Sequence, residues 1–362
     1  MSGRPILVMA GGTGGHVYPA LAVARSLEAH SQDIVWLGTH HGLESKVVPA
    51  AGIDIEWISV KGLRRKGIAT LLIAPISLIW ALMQALGVIR RRRPAAVLGM
   101  GGFVSGPGGL AAWLTRRPLV IHEQNAAAGL TNRLLARLAR VVLQAFPGSF
   151  NSSVDAETVG NPVREDIAAV APPADRYNNR QGPLRLLILG GSQGALALNR
   201  TVPEAISKLP ARQRPVVRHQ CGSSTVDVAS AAYGQHGVEA DLVPFIDDMA
   251  SAYAWADLVV CRAGALTVAE LCAVGLPALF VPYPAAVDDH QTANARPMAD
   301  AGAAVIIDQS MLSAEVLAGQ LREWLSSRQE LLAKAEKAHG LNRPGALTRI
   351  TELCLEQAGA RA

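Results

Sequence analysis

The feature that most constrains this chain is a repeating unit: a short, near-continuous apolar run, a turn, then a helical stretch. In the first half the runs are 6–10, 34–37, 55–58, 96–99, 119–122 and 141–144. In the second half they are 184–189, 216–219, 258–261, 278–281 and 305–307. Strands apolar on both sides and separated by helices belong to parallel sheets covered on both faces. Two such series predict an α/β protein of two doubly wound, Rossmann-like domains, which 362 residues readily accommodate. The break falls at Gly160-Asn-Pro162-Val-Arg164, giving domains 1–162 and 163–341. Segment 342–362, with a helix over 346–358, is expected to cross back onto the first domain. The Pro-rich stretch 171–183 reads as a surface excursion.

Three apolar runs lead into glycine-rich turns: Gly11-Gly-Thr13-Gly14-Gly15-His16, residues 99–106 (GMGGFVSG) and residues 190–195 (GGSQGA). Glycine permits positive φ and close backbone approach, and the helix that follows presents N–H groups and a positive dipole end. That suits a phosphate or diphosphate; tight strand–helix packing is the other use of such a turn. The first turn lacks the third glycine of a dinucleotide fingerprint, and none ends in the GK[ST] of a nucleoside-triphosphate loop. Hydride transfer and NTP hydrolysis are therefore disfavoured. So is a metal-dependent transferase, because no Asp-x-Asp pair or His/carboxylate ligand cluster occurs. Further on, residues 262–270 (RAGALTVAE) run from a strand end into a helix. Helical phasing leaves the amides and Thr267 near an anion and Glu270 about one turn further in. A carboxylate there can accept both hydroxyls of a ribose, or serve only as a helix or surface charge. The polar patch 284–294 follows the next strand, at the end of a sheet where open α/β folds bind ligands.

Charge is unevenly spread. The formal net charge is +5, yet residues 1–180 hold 19 basic against 11 acidic side chains and residues 181–362 hold 15 against 18. No carboxylate lies between Glu56 and Glu123, while ten Lys/Arg do. Within that gap, basic clusters at 61–66 and at Arg90, Arg91, Arg92 and Arg93 flank an uncharged apolar run. A run of this kind suits a membrane span, a buried helix or a helix lying on a membrane. Pro75, Ser77 and Gln84 interrupt a span, and basic residues at both ends give it no orientation. A surface helix projecting Leu72, Ile76, Ile79, Trp80 and Met83, rimmed by arginines, accounts for both the charge and the apolarity. Nucleic acid is disfavoured, since aromatic residues are not interleaved with the basic ones. The N-terminus reads straight into a strand with no signal peptide, and Cys221, Cys261, Cys272 and Cys354 have no paired spacing, so reduced cytosolic thiols are expected.

Eight ordered segments now carry a resemblance: Gly11 to His16, 99–110 (GMGGFVSGPGGL), 122–125 (HEQN), 160–164 (GNPVR), 190–195, 245–249 (FIDDM), 262–270, and His290-Gln291 with Asn294. The chain resembles the two-domain GT-B glycosyltransferases, and within them the UDP-N-acetylglucosamine transferases that convert lipid I to lipid II. The resemblance implies two sheets facing a central cleft, with UDP-GlcNAc held by the second domain. It places Ser192 near the diphosphate, Ile246 at the uracil, and Ala265, Leu266, Thr267, Val268 and Ala269 along the diphosphate and sugar. Glu270 would hold the ribose, and Gln291 with Asn294 the GlcNAc hydroxyls. Asn125 and Arg164 would reach the donor from the first domain and the hinge side. Thr13, Gly14 and Gly15 would close over it, and with Gly102, Ser105 and Gly106 would form the loops for the acceptor diphosphate. Two positions depart from the pattern: Phe103 stands where some members have tyrosine, and His290 where others have glutamine.

The implied reaction is inverting. The C4 hydroxyl of the N-acetylmuramoyl unit attacks the anomeric carbon, and UDP leaves from the opposite face. Backbone amides, a helix N-terminus and Arg164 could stabilise the leaving charge with no metal or other cofactor. His16, a side chain that titrates near neutrality, is the candidate general base, with loop ordering as its alternative role. The expected setting is peptidoglycan synthesis at the cytoplasmic face of a bacterial inner membrane, peripherally bound, with UDP-GlcNAc, lipid I, an anionic membrane surface and other cell-wall and division proteins as partners. Rivals are a GT-B transferase with a different lipid acceptor, a UDP-GlcNAc 2-epimerase and a non-catalytic nucleotide sensor.

Overall fold

The computed structural model describes residues 4–60, 68–191, 194–284 and 289–359, with the backbone alone over 68–74. The chain divides into two compact units, Met1–Val163 with Arg343–Ala362, and Arg164–Asn342.

The first unit runs β1 (Ile6–Met9), α1 (Gly14–Ala29), β2 (Ile34–Gly38), α2 (Glu44–Ala50), β3 (Asp54–Trp57), α3 (Ile68–Arg92), β4 (Ala96–Gly99), α4 (Ser105–Leu114), β5 (Leu119–Glu123), α5 (Leu130–Leu135), β6 (Val141–Gln144) and β7 (Glu157–Thr158). All its strands pair in parallel, in the order β3-β2-β1-β4-β5-β6-β7. Alternate residues of each strand enter opposite cores, as the pleat requires. Ile6, Val8, Trp36 and Leu98 pack under α1, whereas Leu7, Met9, Leu37 and Val97 pack with Ala81, Ala85, Val88 and Ile89 of α3 and with α4. That two-sided burial is why the strands read as unbroken apolar runs.

The second unit runs α6 (Glu165–Ala168), α7 (Pro173–Asn178), β8 (Arg185–Leu189), α8 (Leu196–Ser207), β9 (Val216–Gln220), α9 (Val226–His236), β10 (Asp241–Val243), α10 (Met249–Trp255), β11 (Leu258–Cys261), α11 (Ala265–Val274), β12 (Ala278–Phe280), α12 (His290–Asp300), β13 (Ala304–Ile306), α13 (Ala314–Trp324) and α14 (Arg328–His339). Its parallel sheet has the order β10-β9-β8-β11-β12-β13. The last helix, α15 (Ala346–Gly359), belongs to the first unit, where Ile350, Leu353 and Cys354 enter the core beside α1.

Several features differ from what the sequence predicts. The short edge strands β7 and β10 were not expected, because two or three residues with an acidic start carry no apolar run. The stretch 171–183 runs along the surface, as expected, but it is anchored by a helix rather than loose. Pro173 starts α7, Tyr177 is 2% exposed, and Arg176 is buried. The Arg176 guanidinium donates to the carbonyls of Ala171, Val274 and Gly275, while Arg180 pairs with the fully buried Asp257. Prolines marked a loop in the sequence, but here one occupies the first helical turn, where no N–H is missed.

Among the described residues, no helix is long and apolar enough to cross a membrane. The helix α3 is instead two-faced. Ala81, Ala85, Val88 and Ile89 are buried, while Ile76, Ile79, Trp80 and Met83 are 55–69% exposed. Leu72 lies outside the described side chains. The four arginines are not equivalent. Arg92 pairs with Asp54 and Glu56, and Arg91 with Glu56, so half of the expected rim is bound to β3. Arg93 stands at positive φ just beyond the helix.

Candidate active site

In both sheets the strand order reverses once, between β1 and β4 and between β8 and β11. At such a switch point adjacent loops leave in opposite directions and open a crevice beyond the strand ends. The glycine-rich turns occupy these places, so each unit carries its own loop cluster.

In the first unit, Thr13 is the N-cap of α1, extended at ψ 161°, and its carbonyl accepts from the His16 and Val17 amides. The amides of Gly14 and Gly15 belong to the open first turn, where a helix offers N–H groups outward. The Thr13 Oγ1 lies 3.4 Å from His16 Nδ1. The second turn folds directly onto the first. Gly101 and Gly102 both have positive φ. A Cβ on Gly101 would come within 2.5 Å of the His16 ring, and one on Gly102 within 2.3 Å of the Gly11 carbonyl oxygen. Packing of loop on loop therefore accounts for those two glycines. Gly106 has no such demand, since a Cβ there would meet only Thr131, at 3.6 Å. Ser105 is fully buried and its hydroxyl donates to the Gly101 carbonyl at 2.8 Å, so it ties the second turn together.

The HEQN segment forms the end of β5 and the turn after it, next to β4. Burial pushes the His122 imidazole down to about 4, and the neutral ring bonds the Gly160 carbonyl through Nε2. Glu123 accepts from the amide and side chain of Asn125, from the Gly129 amide and from Asn132. Gln124 donates to the Met100 carbonyl. Three of the four residues thus shape loops, and Asn125 is the half-buried one they hold.

In the second unit, the turn after β8 includes Ser192, which lies outside the described residues. After β11, Gly264 is the N-cap of α11. The first helical bond runs from the Val268 amide to the Gly264 carbonyl, leaving the Leu266 and Thr267 amides at the open end of the helix. Ala265, Val268 and Ala273 are buried with the body of the helix. One turn in, Glu270 is only 9% exposed and accepts a 2.8 Å bond from the Tyr253 hydroxyl on α10. Burial raises its carboxyl to about 7, against the opposing pull of the Tyr253 bond and of Arg164. Arg164 caps α6, which packs on α11, and faces Asp166 at 3.6 Å. Gln291 and Asn294, on α12, both grip the strand-to-helix turn. Gln291 Oε1 accepts from the Ala263 and Tyr283 amides, and Asn294 donates to the Ala263 carbonyl. Ile246 is held by its amide on buried Gln220.

Tyr253 and Gln220 stand in none of the sequence motifs. Each acts through a partner remote in sequence, and local spacing carries no trace of that.

Known proteins resemble this chain in sequence and fold. Residues 6–144 match the glycosyltransferase family 28 N-terminal domain and residues 185–350 the glycosyltransferase family 28 C-terminal domain. A protein of Alkalilimnicola ehrlichii named UDP-N-acetylglucosamine–N-acetylmuramyl-(pentapeptide) pyrophosphoryl-undecaprenol N-acetylglucosamine transferase is 60% identical over 98% of this chain and 99% of its own. The chain belongs to glycosyltransferase family 28. A protein of the same name from Nitrosococcus oceani is 57% identical over 98% of both chains. The crystal structure of Acinetobacter baumannii MurG superposes with a TM-score of 0.85 at 41% identity, covering 98% of this chain and 99% of that one. Family 28 membership makes the chain a glycosyltransferase of GT-B fold.

Proposed function

We propose that this enzyme moves N-acetylglucosamine from UDP-N-acetylglucosamine to the C4 hydroxyl of an N-acetylmuramyl-(pentapeptide) pyrophosphoryl-undecaprenol, the reaction that turns lipid I into lipid II. The observation that carries the reading is the pairing of an open α11 N-terminus with a buried carboxylate one turn further in. It suits a nucleoside diphosphate whose ribose lies beyond its phosphates. Relatives named for this transfer match across nearly the whole chain.

In this reading Leu266, Thr267 and the turn containing Ser192 take the diphosphate, Ile246 the uracil, Glu270 the ribose, and Gln291 with Asn294 the sugar. The amides at the α11 N-terminus and Arg164 stabilise the charge that gathers on UDP, with no metal required. In the first unit, Gly14, Gly15, Gly102 and Gly106 form the loops for the acceptor diphosphate. His16, one turn into α1, takes the proton from the attacking hydroxyl. The bond forms on the face opposite the leaving UDP, giving a β-1,4 linkage. The exposed face of α3 holds the enzyme peripherally on an anionic membrane, where the polyprenyl acceptor resides.

The test is UDP release from UDP-N-acetylglucosamine with lipid I present and absent. Release that depends on the acceptor and persists in EDTA is expected. Equal turnover without acceptor would point to epimerisation or hydrolysis, and loss of activity in EDTA would end the metal-free account.

A further inference from the structure

The first glycine turn is held from beneath by a carboxylate that the reaction described above does not use. Glu44, at the start of α2, is fully buried. Its Oε2 accepts from the Gly12 amide at 2.9 Å. Its Oε1 accepts from the Thr39 amide at 3.0 Å and the Thr39 hydroxyl at 2.8 Å. The Leu43 amide closes the same contact from the other side by donating to the Gly12 carbonyl at 3.3 Å. Gly12, at φ +91°, is thus clamped at both its polar groups by the segment that links β2 to α2.

Two glycines are shaped around this carboxylate. A Cβ on Gly42 would lie 1.9 Å from Glu44 Oε2, and one on Gly11 2.8 Å from Oε1. A buried charge is costly unless its lone pairs are satisfied, and three donors meet that requirement here. The clamp also takes the Gly12 amide out of the set available to an anion, which leaves the turn's outward donors at Gly14 and Gly15. Since Gly12 directly precedes Thr13, the N-cap of α1, its placement sets where the first turn of α1 and His16 begin.

We propose that Glu44 is a positioning residue for the reaction: it fixes the first glycine turn, and through it His16 and the acceptor loops, without touching substrate. This rests on the reading of His16 and the glycine turns given under Proposed function. A residue that only oriented reacting groups would lower kcat while leaving unchanged the affinity for UDP, whose proposed contacts belong to the second unit.

The experiment compares wild type with Glu44→Gln. A glutamine keeps one acceptor and turns the other into a donor, so one side of the bridge opposes N–H to N–H. The expected result is a kcat lower by about tenfold or more, with UDP affinity by calorimetry within about twofold of wild type. In a 1H–15N spectrum the Gly12 amide proton should move upfield as it loses its carboxylate acceptor. Gly42→Ala, which displaces the carboxylate by a different route, should reproduce the kcat loss and keeps the test available if Glu44→Gln does not fold. A kcat within about twofold of wild type in either folded variant overturns the proposal. So does a kcat loss with the Gly12 resonance unmoved. A wild-type chain lacking acceptor-dependent UDP release overturns the functional reading instead. The Gly12 resonance still tests the clamp in that case, moving if Glu44 holds it and staying in place if not.

Discussion

At the scale of single residues, Glu270 links burial to substrate. Its carboxyl is raised to about 7 because the folded chain takes it out of water. A ribose can donate two hydrogen bonds to the ionised form, whereas the protonated form offers a donor where an acceptor is needed. Arg164 favours the charged form, Asp166 opposes it, and the Tyr253 hydroxyl already occupies Oε2. The KM for UDP-N-acetylglucosamine should therefore rise as pH falls below about 7, approaching tenfold per unit at the acid end. Glu270→Gln should raise KM at pH 8 and flatten that profile, measured by initial rates from pH 6 to 8. A variant with the wild-type slope would remove Glu270 from the ribose. The sign for stability is opposite. A carboxyl whose folded pKa exceeds its unfolded value costs stability as pH rises from about 4.5 to about 7, so the site trades some stability for a titrating acceptor.

At the scale of elements, α3 separates two jobs that one run of arginines had merged. Arg92 and Arg91 are bound to Asp54 and Glu56, and Glu56 is held below its ordinary carboxylate range by those arginine bonds despite its partial burial. Reversing Arg90 and Arg93 to glutamate should weaken binding to anionic vesicles while leaving Tm nearly unchanged. Arg92→Ala should instead cost about 1 kcal/mol of stability, read by urea unfolding. Equal effects of the two substitutions on flotation would defeat the division. Flotation by a Trp80→Glu, Ile79→Glu variant at the wild-type level would remove the apolar face from membrane contact.

How far the elements could be read from the sequence follows from the same physics. The strands buried on both faces announced themselves to within a residue or two, because burial writes apolar residues at every position. The edge strands β7 and β10, half-exposed and brief, wrote nothing. At the site, residues carried on helix starts were legible because the turn motif places them. Residues that hold the site from a distance were not: Glu44 and Tyr253 meet Gly12 and Glu270, partners that only the folded chain brings near.

At the scale of the whole molecule, two units with separate sheets and cores should respond separately to ligand. UDP binding to the second unit should raise the unfolding temperature of that unit more than that of the first, by mass action. Calorimetry with and without UDP reads this, and an equal shift of all unfolding heat would contradict it. The first unit also depends on α15, whose Ile350, Leu353 and Cys354 complete the core beside α1. On the ribosome this reverses the usual order of completion. The segment with β1 emerges before the second unit, yet its core lacks a wall until residues 343–359 follow that entire unit out of the exit tunnel. Throughout that interval the newborn chain carries a bare apolar flank on its first unit while the second is still being made. Chaperones would meet this enzyme most often there.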